Sequence, residues 1–151
     1  MSKTFDITKE MTLEERLIWV SAGVLLGSAG VYWGVILGRA RYIPITEVPY
    51  GWAMFWSLGA VVLGSLAVAV ATVILAPREA DQKDQRDREV GRHGDAAGYN
   101  VLALGCLGVL ALTVAGAEPF WVAHSLYLCC VVAGLWSAVT KIIAYRRGFS
   151  P

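Results

Sequence analysis

Four long stretches of the chain, residues 17–38, 50–75, 97–116 and 120–143, are apolar all the way round, and Lys141 is the only charged residue inside them. A helix in water carries an apolar stripe and a charged face; a helix without that alternation is covered by apolar material on every side. Each stretch also reaches the roughly 20 apolar residues that an α-helix needs to cross a hydrocarbon core about 30 Å thick. The pattern predicts an all-α fold, an integral membrane four-helix bundle, with residues 1–151 forming a single membrane domain.

The polar positions mark where the spans begin and end. Thr12-Leu-Glu-Glu15 fits a capping box, with Thr12 as N-cap and Glu15 reaching back to it. Pro44 and Pro49 stop the first span and restart the second, and Pro77 ends the second. Residues 76–96 then form the one sizeable loop. Asp95, following Gly91 and Gly94, is the expected N-cap of the third span. "GAEPF" at 116–120 reads as a tight turn, and Pro119 suits the first turn of the fourth span. The first span is too long, and its flank too acidic at Asp6, Glu10, Glu14 and Glu15, for a cleaved signal peptide. It is expected to be retained.

Charge adds an orientation. Eleven of the 13 Lys and Arg residues lie in the N-terminal segment, the central loop and the C-terminal segment; only Arg39 and Arg41 fall on the opposite side. Cytoplasmic flanks are rich in Lys and Arg, so both termini and the central loop are expected in the cytoplasm, N-in and C-in, at the plasma membrane. Trp33, Tyr42, Tyr50, Trp52, Trp56, Phe120 and Trp121 gather at the other boundary. Amphipathic rings collect at such interfaces. A formal net charge of +1 excludes the broad basic surface of a nucleic-acid binder.

Residues 81–95, "DQKDQRDREVGRHGD", are the polar extreme of the chain, with nine charged residues of nearly balanced sign. Glu79–Lys83 and Asp84–Arg88 are acid-first pairs one helical turn apart, which favours a short water-exposed helix. Exposed pairs of this kind select nothing by themselves. A docking surface built on Asp84, Arg86, Asp87 and Arg88 is the functional reading. The acids at 81, 84 and 87 recur at threes with cations between them, unlike the alternating oxygens of a calcium loop. His93 with Asp95 is too small a set for zinc. No metal or cofactor is expected.

Inside the spans, Gly23, Gly27, Gly30, Gly34 and Gly38 form a small-residue stripe on the first helix. Such spacing lets another helix approach closely in lipid, here one of the chain's own helices, with a homo-oligomer as the alternative. Cys106 and Cys130 fall at equal depth about the turn near 118, and Cys129 adjoins them. With no C-x-x-C and no cysteine at the surface, they are small hydrophobes rather than a thiol-redox centre. No Asp or Glu lies mid-span, which removes the central device of small drug exporters. Serine-triad, phosphate-loop and dinucleotide signatures do not occur, so no catalytic residue is assigned and no enzyme activity is expected. Arg39, Arg41, Glu47, Glu118 and His124 were the remaining polar candidates, a cluster on the side opposite the termini.

Several stretches together resemble a family of small four-span bacterial membrane proteins. They are "TLEERLIWV", "LGRA", "ITEVPY", "DQKDQRDREV", "FWVAHSLYL" and "KIIAYRRGF", and they are spread over nearly the whole chain. The D-x-R-D-x-E loop and the terminal Y-R-R-G-F are the most specific of them. The resemblance implies four spans, cytoplasmic termini and no assigned activity. Genes of this family often adjoin small helix-turn-helix regulators, which implies a regulatory or protective role at the membrane. The expected function is thus a non-catalytic, membrane-embedded partner or regulator that uses its charged cytoplasmic loop. Its partners would be the lipid bilayer and a membrane or cytoplasmic protein. The alternative is a small transporter or channel subunit using the polar cluster on the far side.

Overall fold

A computed structural model describes residues 13–75 and 85–147. Four α-helices account for most of them: α1 (Leu13–Arg39), α2 (Gly51–Leu75), α3 (Gln85–Val114) and α4 (Pro119–Arg147). A single 3-10 turn, Ile45–Glu47, interrupts the α1–α2 connection, and no strand occurs among the described residues. All four helices are long and apolar enough to cross a membrane. The chain has the architecture of a multi-pass membrane protein, with α1–α2 and α3–α4 as two hairpins.

The helices do not close into a symmetric bundle. α4 packs along α3 and also against α1, and α1 packs against α2, so the order across the molecule is α2–α1–α4–α3. α2 and α3 stand at the two flanks, where Val62, Leu63 and Leu66, and Leu104, Leu107 and Leu110, face outward. In water such faces would aggregate; in a bilayer they meet lipid tails that are as apolar as they are.

Both connections behave as the sequence suggests. α3 ends with Gly116 in the left-handed region (φ 75°), the Ala117 amide donating to the Leu112 carbonyl and the Gly116 amide to that of Thr113. That pair of bonds is a Schellman cap, and glycine takes the left-handed position without steric cost. Pro119 then opens α4. In the other connection Val48 tucks back under the helices and is almost fully buried. The Arg39 guanidinium donates to the Pro49 carbonyl at 3.1 Å and fastens the turn.

Two sequence expectations are corrected. Asp95 does not cap α3, which begins ten residues earlier and carries Asp95 in its interior, where it accepts a hydrogen bond from Lys141 Nζ at 2.6 Å. Gly91 and Gly94 therefore do not end a preceding helix. Gly94 lies under the Lys141 side chain, and Gly98 abuts the Ala133 carbonyl and Ser137; a Cβ at Gly98 would come within 2.9 Å of both. The glycines are where α3 and α4 touch.

The second correction concerns the stripe on α1. A Cβ built at Gly23, Gly27, Gly30, Gly34 or Gly38 would meet nothing within 4 Å, so those positions do not bring another helix of this chain close. The close approaches fall at Gly64 against Val24, Gly105 against Cys129 and Gly134 against Leu25. Small-residue spacing shows where a helix can be approached, and packing elsewhere decides whether it is. Thr12, Pro77, Glu79, Lys83 and Asp84 lie outside the described residues.

Candidate functional site

The most organised polar structure lies near the hairpin end, between α1, α2 and α4. On α4, Phe120, His124 and Tyr127 recur at spacings of four and three, so they share one helical face, and all three are buried. On α1, Ser28 and Tyr32 are one turn apart and face them, with Tyr32 at 2% exposure. Ser57 comes from α2.

His124 is held at both ring nitrogens. Nδ1 lies 2.7 Å from the Phe120 carbonyl, and a carbonyl only accepts, so Nδ1 carries the proton. In the neutral ring Nε2 then accepts, and Tyr32 donates its hydroxyl to it at 2.7 Å. Four rings surround the imidazole: Phe120 stacks at 3.9 Å, with Tyr50 at 5.0 Å, Trp33 at 5.4 Å and Tyr32 at 5.8 Å between centroids.

The second half of the site is a hydroxyl chain. Ser28 Oγ donates to the Ser57 carbonyl at 2.8 Å and so spends its only proton there. Ser57 Oγ must therefore donate to Ser28 Oγ (2.9 Å) and accept from the Tyr127 hydroxyl (2.7 Å). Tyr32 and Tyr127 lie side by side, ring centroids 4.6 Å apart, and join the two halves. Among the described residues no buried side-chain nitrogen or oxygen lacks a hydrogen-bond partner. In hydrocarbon each unsatisfied polar group costs several kcal/mol, on the order of 2–7, so a closed network is the form such groups can take.

The far-side cluster is not assembled. His124, at 4% exposure, turns inward, Arg39 is occupied by Pro49, and no ion pair among the described residues joins Arg39, Arg41, Glu47 or Glu118. The aromatic belt is divided in the same way. Trp52, Trp56, Trp121 and Tyr42 are exposed as interface anchors, whereas Phe120 is buried and Trp33 and Tyr50 half-buried around His124. His124 stands one turn into the fourth span, close to the polar boundary, yet it is buried. The signal that could have found it was the Phe120–His124–Tyr127 spacing set against Ser28 and Tyr32.

At the other end, the charged segment from Gln85 onward is part of α3. Arg86 and Asp87 lie in its first turn, and Arg88, Glu89 and Arg92 are exposed beyond them. Val90 and Gly94 on the opposite face are buried, Gly94 against Lys141 of α4. Arg146 of α4 donates to Glu15 of α1 at 3.4 Å and lies 5.9 Å over the Trp19 ring. The three cysteines are free, Cys129 filling the space beside Gly105. No group of three or more His, Cys, Asp or Glu residues among the described residues is placed to hold a metal ion. No family model matches the chain, and neither a curated protein nor a solved structure matches it.

Proposed function

We propose that this chain is a non-catalytic partner or regulator embedded in the plasma membrane, N-in and C-in, whose α3–α4 stalk is its contact surface. The observation that carries this reading is the continuity of α3. Thirty residues make a helix about 45 Å long, some 15 Å more than a hydrocarbon core. The surplus is the charged segment, and it does not swing on a loop. Its inner face is packed on α4, so the outward charges of Arg88, Glu89 and Arg92 keep a fixed spacing. Fixed charge patterns set partner choice and association rate. The closed network around His124 supports this reading too, because both ring nitrogens are engaged, Nε2 in tying α4 to α1 and Nδ1 in a bond within α4.

The orientation rests on the Lys/Arg asymmetry. A cysteine at Gln85 should resist membrane-impermeant maleimide in intact cells and one at Ile45 should label; the opposite pattern overturns it. For the stalk, Arg88→Glu with Arg92→Glu reverses two charges one turn apart on a single face. Membrane levels should be unchanged, while proteins co-purifying stoichiometrically with the wild type should fall at least about tenfold, because like charges would then meet at the contact. Unchanged co-purification removes the stalk as the contact surface.

A further inference from the structure

We propose that the cavity between α1, α2 and α4 is a binding site for a single long-chain fatty acid, with its carboxylate at Lys141 and its methyl end at Tyr127. The cavity measures about 400 Å³ and is half open to the surroundings. That volume lies in the range of small-ligand sites, about 300–1,000 Å³. Along α4 it extends from Tyr127 to Lys141, roughly 21 Å of helix. It is therefore a slot running with the helices, longer than the half-thickness of a hydrocarbon core, about 15 Å.

The walls select hydrocarbon. Leu17 and Leu25 on α1, Leu58 and Val61 on α2, and Val131 and Ala138 on α4 line the slot, with the Ser21 and Ser65 hydroxyls as polar points toward its mouth. At its deep end the Tyr127 hydroxyl is committed to Ser57, and Ser137 in the wall donates to Asp95. A buried water needs two to four polar partners, about three on average, and the deep half does not supply them. An alkyl chain needs none. The slot exists because α2 and α4 are bonded to each other through Ser57 and Tyr127 near the hairpin end, leaving space between them toward the termini.

The mouth selects the head. Among the described residues Lys141 is the one charged residue lining the cavity, and its side chain is 22% exposed against 69% for its partner Asp95. Asp95 engages the ammonium through a single contact, leaving donors for a second carboxylate. Glu15, Arg146 and Trp19 bridge α1 and α4 at that end, which favours a compact head over a bulky phosphodiester. A cavity of about 400 Å³ has room for one such chain and not two.

The test uses the purified full chain in phosphatidylcholine nanodiscs and palmitic acid carrying a mid-chain diazirine. Photolabelling should concentrate on peptides containing Leu25 and Val131. Ala138→Trp, which fills the slot, should cut it at least tenfold; Lys141→Gln should cut it at least fivefold. Leu128→Trp, on the exposed face of α4, should leave it unchanged. Unlabelled palmitic acid should compete at least tenfold better than its methyl ester. Labelling spread over Leu104, Leu107 and Leu110 on the flank of α3, indifferent to Ala138→Trp, would mean ordinary annular contact and overturn the proposal. Equal competition by the ester overturns it as well. If Ala138→Trp does not elute as a single species, Val61→Trp fills the slot from the opposite wall, and Lys141→Gln with the ester decides independently of both.

Discussion

The two ends of the molecule solve the same problem by different means. Near the hairpins, α1, α2 and α4 are joined by side-chain hydrogen bonds at 2.7–2.9 Å within a box of aromatic rings. Near the termini, the same three helices separate around a cavity, and ion pairs tie the molecule at its rim. In lipid no hydrophobic drive pushes helices together, so association rests on packing, hydrogen bonds and close backbone approach. The hairpin end has the hydrogen bonds and the ring packing. The terminal end has the close approaches, between α3 and α4 at Gly94 and Gly98 and onto α1 at Gly64 and Gly134, while α2 and α4 stay apart around the cavity. Side-chain hydrogen bonding is thus concentrated around His124, and the cavity that reaches Lys141 lies below it.

The comparison is broken most severely at the glycines. Gly98→Leu would drive a side chain into the Ala133 carbonyl and Ser137, atoms held by the α4 backbone, and should cost about 3 kcal/mol, at the upper end for overpacking. Gly30→Leu enters open space and should stay within about 0.5 kcal/mol. Unfolding titrations with SDS in mixed micelles measure both. If Gly30→Leu proves as costly as Gly98→Leu, the α1 stripe is packed after all.

The second contrast sets the network against the cavity. His124→Ala removes a ring packed among four others and leaves Tyr32 without its acceptor, so a loss of about 3 kcal/mol is expected. Ser57→Ala strands the Tyr127 hydroxyl and should cost about 1 kcal/mol, since single interhelical hydrogen bonds in membranes are modest. Leu25→Ala removes a half-buried side chain that touches Gly134 at one methyl and otherwise borders the cavity, and should cost under about 1 kcal/mol. Thermal unfolding in mild detergent should rank the three in that order. A Leu25→Ala as damaging as His124→Ala would show that the terminal end is packed as tightly as the other.

Hydropathy made the four helices legible because it reports a property of whole segments, and Pro119 and the "GAEPF" turn marked a boundary through local backbone chemistry. Which face of each helix points inward was much harder to read. A span that is apolar all round has no stripe to betray its buried side, so the α1 glycines looked as suitable for packing as Gly98 and Gly105, which in fact pack. His124 falls in the far-side polar cluster by its position along the chain, whereas its environment is set by Tyr32 and Tyr50, distant in sequence. The start of α3 was misplaced because Gly91 and Gly94 carry the same letters whether they end a helix or admit a neighbour.

The smallest effects belong to the rim, and they separate charge from packing. Lys141 and Asp95 form a short ion pair, yet the carboxylate is largely exposed, and exposed pairs contribute roughly 0–1 kcal/mol. Asp95→Asn and Lys141→Met should therefore each cost no more than about 0.5 kcal/mol, and less as salt is added. Lys141→Ala is a different change. The aliphatic stem of Lys141 lies over Gly94, so truncation uncovers the contact between α3 and α4 as well as removing the ammonium. It should cost about 1 kcal/mol, and that loss should persist in high salt. Equal losses for Lys141→Met and Lys141→Ala, both abolished by salt, would show that the stalk is held by charge alone, and its spacing could not then be fixed by packing.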